Sequence, residues 1–123
     1  MTQERRALGA AGEDFAAAFL EARGYRVLER NPRYAGVELD IVARRGRTLV
    51  FVEVKTRRGR HQGLAVEAVD ARKRGRLLRG ARGWLDAHRP GGVRVRFDVI
   101  GVERDASGCW RAHHVVDAFD ASD

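Results

Sequence analysis

Residues 48–57 read Thr-Leu-Val-Phe-Val-Glu-Val-Lys-Thr-Arg, and this stretch decides the fold. Apart from Glu53 and Lys55, its first eight residues are β-branched, aromatic or leucine, which is typical of a central strand buried on both faces. Because side chains alternate across a strand, Glu53 and Lys55 share one face. Burying an unpaired charge is costly, so we expect these two side chains to have an ion-pair partner, a bound metal or a catalytic role.

A second apolar stretch lies just before this strand. Residues 38–43 read Glu-Leu-Asp-Ile-Val-Ala, and Arg-Arg-Gly-Arg at 44–47 joins them to the central strand. Gly46 suits the positive φ of a tight turn, so the spacing predicts an antiparallel β-hairpin. This pairing brings Asp40 to the level of Val52 and Glu53. We therefore expect two carboxylates and a lysine at one end of a buried hairpin.

Outside the hairpin, the sequence pattern predicts two helices and three further strands. Residues 3–23 have helical spacing and end at Gly24, while Asp70 is a good N-cap for a helix over 71–88. Strands are expected at 25–29, 93–102 and 110–116. The order is α-β-β-β-α-β-β, which predicts an α/β fold with a mixed central sheet flanked by helices. We expect a single domain over residues 1–119 and a tail over 120–123.

The first helix carries one acid on an unexpected face. Its core face is predicted from an apolar stripe of Leu8, Ala11, Phe15, Ala18, Phe19 and Ala22. Glu13 instead shares a stripe with Gly9, Ala16 and Leu20, whose small or apolar side chains indicate close approach by another element. Glu13 is therefore a candidate site residue, with an exposed helix glutamate as the alternative.

Positive charge is concentrated in the hairpin and the second helix. The net charge is +7, yet residues 44–82 alone hold 13 Lys or Arg against 3 Asp or Glu. A positive field around carboxylates favours a polyanionic ligand, most often nucleic acid, whereas a solvated arginine-rich surface is the alternative. The second helix also carries Lys73 on the flank of its apolar stripe, where the ammonium can reach the sheet or bulk water. The candidate nucleic-acid contacts are Arg57, Arg58, Arg60, His61, Lys73 and Arg76.

Cysteine content and hydropathy bear on the cellular compartment. A single cysteine cannot form an internal disulfide, and no Cys/His cluster has zinc spacing, which fits a reducing cytoplasm. No apolar run approaches about 18 residues, and the first residues do not resemble a signal peptide. We expect a soluble cytoplasmic protein without a membrane partner.

The converging acids suggest a hydrolytic metal site. Asp40 and Glu53 are hard oxygen donors suited to Mg²⁺ or Mn²⁺, with the Val54 carbonyl as a third ligand and Glu13 completing the shell or holding a second ion. Such an ion polarises a phosphodiester, and Lys55 can orient the attacking water or neutralise charge in the transition state. This arrangement favours phosphodiester hydrolysis. Cross-strand ion pairs that only stabilise a sheet are the simpler interpretation.

Several motifs together resemble the YraN family of small bacterial proteins, and the resemblance covers nearly the whole chain. The motifs are Gly12-Glu13, Asn31-x-Arg33, Glu38-Leu39-Asp40-Ile41-Val42-Ala43, Phe51-Val52-Glu53-Val54-Lys55-x-Arg57, residues 65–73 and Arg96-Phe97-Asp98. The resemblance implies a restriction-endonuclease-like, or PD-(D/E)xK, fold similar to archaeal Holliday-junction resolvases. It matches Asp40, Glu53 and Lys55 to the nuclease triad and Glu13 to its helix-borne acid. One departure is that Val37 separates Gly36 from Glu38, where the family usually has glycine directly before the Glu-x-Asp.

The resemblance implies a metal-dependent endonuclease acting on structured or branched DNA, and a homodimer like that of the resolvases. Two alternatives remain at this stage. The first is a nucleic-acid-binding protein that keeps the fold but cuts nothing, and the second is a protein-interaction module in a DNA-processing complex. The acids distinguish them, because carboxylates repel phosphate and a pure binder has no need of them.

Overall fold

The computed structural model describes residues 3–58 and 69–120, which form two helices and seven strands. The helices are α1 (Gln3–Ala22) and α2 (Ala71–His88). The strands are β1 (Arg26–Arg30), β2 (Arg33–Tyr34), β3 (Val37–Glu38), β4 (Ile41–Arg45), β5 (Thr48–Arg58), β6 (Arg94–Arg104) and β7 (Trp110–Phe119). Across these residues we find no helix with both the length and the apolar character needed to cross a membrane.

Five of the strands form one mixed sheet in the order β1-β4-β5-β6-β7. β5 and β6 run parallel, and the other three pairs are antiparallel. The predicted α/β class and the α-β-β-β-α-β-β order are confirmed for this sheet and its two helices. The last strand is longer than predicted and runs to Phe119, which is buried.

A small hairpin of β2 and β3 was not predicted. Ala35 and Gly36, with φ of 52° and 75°, form the two-residue turn between the strands, as the twist of a tight hairpin requires. Glu38 belongs to this hairpin, so the strand predicted over 38–43 was wrong at its start. The main-sheet strand begins only at Ile41, which leaves Asp40 at the bend between two strands.

The central strand β5 is buried on both faces, as its apolar sequence predicted. Leu49 and Phe51 pack in the core on the α2 side, together with Trp84. Val50 and Val52 pack in the core on the α1 side. Because alternation continues along the strand, the charged end of β5 projects from between two hydrophobic cores.

The predicted core face of α1 was wrong by part of a turn, since Ala18 and Ala22 are exposed. The buried residues of this helix are Gly12, Ala16, Ala17 and Leu20. α1 lies so close to β5 at Gly12 that a Cβ there would overlap the side chain of Thr56. Because of this close approach, the buried face of α1 consists mostly of small residues. The larger Phe15 lies at the side of that face and is only partly buried.

A buried charge network joins β6 to β7. Asp98 is 1% exposed, and its carboxylate accepts two hydrogen bonds of 2.8 Å from Arg96 and one of 2.9 Å from the backbone N–H of Asp117. His114 Nε2 lies 2.7 Å from the same carboxylate. Burial raises the pKa of Asp98, but the hydrogen bonds from His114 and Arg96 outweigh it and hold that pKa below its usual value.

Candidate active site

The hairpin of β4 and β5 brings Asp40 and Glu53 together. Ile41 pairs with Val52, so Asp40 lies opposite Glu53 one residue further along. Asp40 Oδ2 accepts a hydrogen bond of 2.8 Å from the backbone N–H of Val54. Glu53 is a close charged neighbour of Asp40, since its negative charge raises the pKa of Asp40. These two carboxyl groups form the carboxylate pair at the edge of β5.

The environment of Asp40 disfavours its ionised form. Burial raises the pKa of Asp40 to about 7, and the negative charge of Glu53 acts in the same direction. The hydrogen bond from the Val54 N–H opposes this rise, while the charge of Glu13 adds to it. At neutral pH such a pair is stabilised by a shared proton or by a cation.

Lys73 neutralises the second member of the pair. Its Nζ lies 2.8 Å from Glu53 Oε1, and the Glu53 side chain is only 11% exposed. Asp70 caps the N-terminus of α2 by accepting a hydrogen bond of 3.0 Å from the Lys73 backbone N–H, which fixes the position of that residue. The ammonium thus reaches the sheet instead of bulk water.

Lys55 follows Glu53 on the same face of β5 and is half-buried. Within residues 3–58 and 69–120 its side chain has no hydrogen bond or ion pair. The ammonium can therefore contact a ligand beside the carboxylate pair without first breaking an interaction with these residues.

Glu13 approaches the pair from α1, and its side chain is 14% exposed. It accepts hydrogen bonds from Arg30 Nε at 3.2 Å and from Asn31 Nδ2 at 3.1 Å. The Asn31 backbone N–H also donates to the Asp40 carbonyl at 3.0 Å, so Asn31 connects the helix acid to the bend that carries Asp40.

Asn31 is a site residue that sequence reasoning missed. Its φ of 58° lies in the left-handed region, which asparagine tolerates better than most residues. In the sequence Asn31 appears only within the Asn31-x-Arg33 motif, which gave no sign of a contact with Glu13. The missing information was tertiary, because Glu13 and Asn31 come from different elements.

The donor set fits a small hard cation held by two carboxylates. Across the residues that the structure describes, no group of three His, Cys, Asp or Glu side chains could hold a metal, and Glu13 is hydrogen-bonded to Arg30 and Asn31. The N–H and C=O of one strand residue point to the same edge, so the Val54 carbonyl faces the edge where its N–H meets Asp40. Mg²⁺ commonly takes one or two carboxylates and keeps several waters, which this set allows.

The described basic candidates lie on β5 and α2. Arg57 and Arg58 end β5, where Arg57 is half-buried and Arg58 exposed, and Arg76 is exposed on α2. Arg60 and His61 lie outside the described residues. Glu38, two residues before Asp40, is not a member of the pair and contacts Arg33 at 3.6 Å within the short hairpin.

The chain is similar to known proteins along most of its length. The profile of Uncharacterised protein family UPF0102 matches residues 12–102. UPF0102 proteins of Nitratidesulfovibrio vulgaris and Syntrophotalea carbinolica are 42% and 47% identical over 123 and 120 residues, covering 100% and 98% of this chain and 91% and 97% of theirs. A UPF0102 protein of Frankia casuarinae is 48% identical over 113 residues, covering 92% of this chain and 96% of its own.

A solved structure is also similar to the chain. SfsA of Pyrococcus furiosus, in complex with Ca²⁺, matches with 18% identity and a TM-score of 0.41, covering 90% of this chain and 63% of that chain. A likeness at this level carries no argument about the chemistry of the present site.

Proposed function

This chain belongs to Uncharacterised protein family UPF0102, the YraN family, and we propose that it is a metal-dependent endonuclease that hydrolyses phosphodiesters in structured or branched DNA. The observation that carries the proposal is the carboxylate pair of Asp40 and Glu53, which the register of the β4–β5 hairpin brings together. Burial and mutual repulsion raise the pKa of Asp40 to about 7, and a divalent cation would offset that repulsion. The PD-(D/E)xK resemblance supports the same assignment.

The residues around the pair have distinct roles in this proposal. Asp40, Glu53 and the Val54 carbonyl would hold Mg²⁺ or Mn²⁺, which when bound neutralises charge on the phosphodiester and makes the attacking water more acidic. Lys55 donates to a phosphate oxygen, where negative charge grows in the transition state. Glu13 would complete the shell or hold a second ion, and for this its carboxylate would have to leave Arg30 and Asn31.

A non-catalytic nucleic-acid-binding protein is the second candidate, and the Lys73–Glu53 ion pair favours it. Lys73 already neutralises Glu53, and a proton on Asp40 would satisfy the remaining carboxyl group without any metal. In that case the basic surface binds nucleic acid and the pair only stabilises the hairpin.

Cleavage of labelled nucleic acids tests the two candidates against each other. The substrates are a four-way junction, a flap, a linear duplex and a single strand, each with Mg²⁺, Mn²⁺ or EDTA. We expect metal-dependent cleavage of at least one substrate, and a rate loss of roughly 10²-fold or more for Glu53→Gln and for Asp40→Asn. The matched control is Glu38→Gln, because Glu38 is a nearby acid outside the pair.

Binding in EDTA completes the comparison. Asp40→Asn and Glu53→Gln should bind DNA as tightly as wild type or more tightly, because each removes a negative charge that repels phosphate. Binding without cleavage of any substrate by the wild type would establish the non-catalytic candidate.

A further inference from the structure

The outer face of α2 carries a run of arginines. Arg72, Arg76 and Arg79 follow one another at i, i+4 and i+7 on the side of the helix away from its buried residues, and all three are exposed. Residues 71–82 contain no Asp or Glu. Among the described residues, Arg72 and Arg76 have no hydrogen-bond or ion-pair partner, whereas Arg79 Nε donates to the Ala35 carbonyl at 3.4 Å. The described residues therefore leave the positive charge of this face uncompensated.

A glycine lies at the centre of these arginines, and packing does not explain it. Gly75 is exposed between Arg72, three residues before it, and Arg79, four residues after it. A Cβ at Gly80 or Gly83 would lie 3.0 or 2.9 Å from a side chain of the β2–β3 hairpin, so those two glycines let the hairpin pack on α2. A Cβ at Gly75 would have nothing within 4 Å. We refer to Arg72, Gly75, Arg76 and Arg79 as the arginine face.

Three features of the arginine face oppose helix formation. Glycine in a helix interior is destabilising relative to alanine. Like charges three or four residues apart repel each other. Arg72 also lies in the first turn, where the positive end of the helix dipole disfavours a cation. Several local rules are thus broken together at an exposed surface, which is characteristic of a functional site, and a bound anion would offset both electrostatic costs.

The arginine face begins beside the carboxylate pair. Lys73 directly follows Arg72, and its ammonium contacts Glu53 at 2.8 Å. Glu53 continues the alternation of Leu49 and Phe51, which pack in the core on the α2 side. The pair and the arginine face therefore lie on the same side of the sheet.

The composition of this face suits a phosphate chain better than a protein partner. The large apolar side chains that are exposed among the described residues are Leu28, Val95 and Val116, and none lies on α2. The face thus lacks the apolar anchor on which protein interfaces depend. Guanidinium groups bind phosphate through paired hydrogen bonds, and the two helical turns from Arg72 to Arg79 span about 10.5 Å. That length corresponds to about three nucleotides of one DNA strand.

We propose that the arginine face of α2 is a docking surface for the sugar–phosphate backbone of nucleic acid, and that Gly75 lets this backbone approach the helix more closely than any side chain would permit. The inference rests on the proposed function for its ligand, and it assigns that ligand a contact surface beside the carboxylate pair.

Gly75→Ala separates docking from folding, because the two expected effects have opposite signs. Filling an open helical position should raise the Tm by roughly 2–4 °C. The added methyl should weaken binding of a labelled four-way junction and of a linear duplex about tenfold, measured by fluorescence anisotropy in EDTA. The matched control is Gly9→Ala in α1, where a Cβ also has nothing within 4 Å, and which should raise the Tm without weakening binding. Wild-type affinity in Gly75→Ala would overturn the proposal, as would a lowered Tm, which would make the glycine a requirement of the fold.

A salt series tests the arginines. Arg72→Gln, Arg76→Gln and Arg79→Gln should each lower the slope of log affinity against log salt by about 0.9, and the triple variant by about 2.7, because each removes one phosphate contact. The control is Arg94→Gln, since Arg94 is exposed on the α1 side of the sheet, an even number of residues before Ile100 of that core. A triple variant with the wild-type slope would overturn the proposal, and so would a wild type that binds neither nucleic acid.

Cleavage is a separate result. The arginine face stands if its variants lose binding while the wild type cleaves nothing, and in that case the endonuclease proposal fails. Metal-dependent cleavage together with unchanged binding by all these variants gives the reverse outcome.

Discussion

Lys73 Nζ lies 2.8 Å from Glu53 Oε1, so the first turn of α2 is joined to the charged end of the central strand. The contact links the basic helix to the carboxylate pair through a single ion pair. It also leaves Asp40 as the member of the pair without a described cationic partner, which explains why burial and the charge of Glu53 raise its pKa.

Removing the ammonium should destabilise the protein. Lys73→Met leaves the largely buried Glu53 carboxylate unpaired beside Asp40, and we expect a loss of about 1 kcal/mol in the free energy of unfolding, since Lys73 is partly exposed. Urea denaturation of Lys73→Met, Glu53→Gln and the double variant measures the coupling energy between the two residues. Arg76→Met, an exposed position on the same helix, is the control. A coupling energy near zero would contradict this prediction.

Gly12→Ala should also destabilise the fold, through packing alone. The added methyl overlaps the Thr56 side chain, and overpacking of this kind costs about 1–3 kcal/mol. Gly9→Ala in the same helix is the control, because a Cβ there has nothing within 4 Å and should stabilise the helix by about 0.5–1 kcal/mol. Thermal and urea unfolding check both variants. Equal gains in stability at the two positions would show that α1 does not contact β5 closely.

The sequence predicted the structure best around the central strand β5. β5 is apolar on both faces, and Gly46 sets the turn before it, so counting back along the hairpin places Asp40 opposite Glu53. The family resemblance pointed to the same two acids, and the family itself is confirmed by matches along the chain.

Features that depend on contacts between distant elements could not be predicted in this way. Helical periodicity gave the wrong buried face of α1, because the approach of Gly12 to Thr56 is decided by the sheet. From the sequence alone, the Lys73 side chain could point either to the sheet or to bulk water. The position of α2 against the sheet is what directs its ammonium to Glu53. The burial of Asp98 could not be predicted either, because its carboxylate is paired with Arg96 and with His114 from the next strand.

The Asp98 network should make stability depend on acidic pH. The pKa of Asp98 is depressed in the folded protein, so its contribution is fully present above the unfolded value of about 3.9 and is lost as pH falls through the folded value. Asp98→Asn should be less stable at pH 6 and should lose part of the decline in stability below pH 4. Urea denaturation between pH 6 and pH 2.5 measures this, with the exposed Asp86→Asn as control. A parallel decline in wild type and Asp98→Asn would contradict the depressed pKa.

Divalent cations should stabilise the folded chain through the carboxylate pair, independently of any cleavage. A ligand that binds only the folded state adds RT ln(1 + [L]/Kd), about 2.7 kcal/mol at 100 times Kd. We expect Mg²⁺ or Mn²⁺ to raise the Tm of the wild type and of Glu38→Gln, and to leave the Tm of Asp40→Asn and Glu53→Gln unchanged. Na⁺ at equal ionic strength separates specific binding from screening. If all four proteins shift equally, the cations bind elsewhere and the pair is held together by its proton and by Lys73 alone.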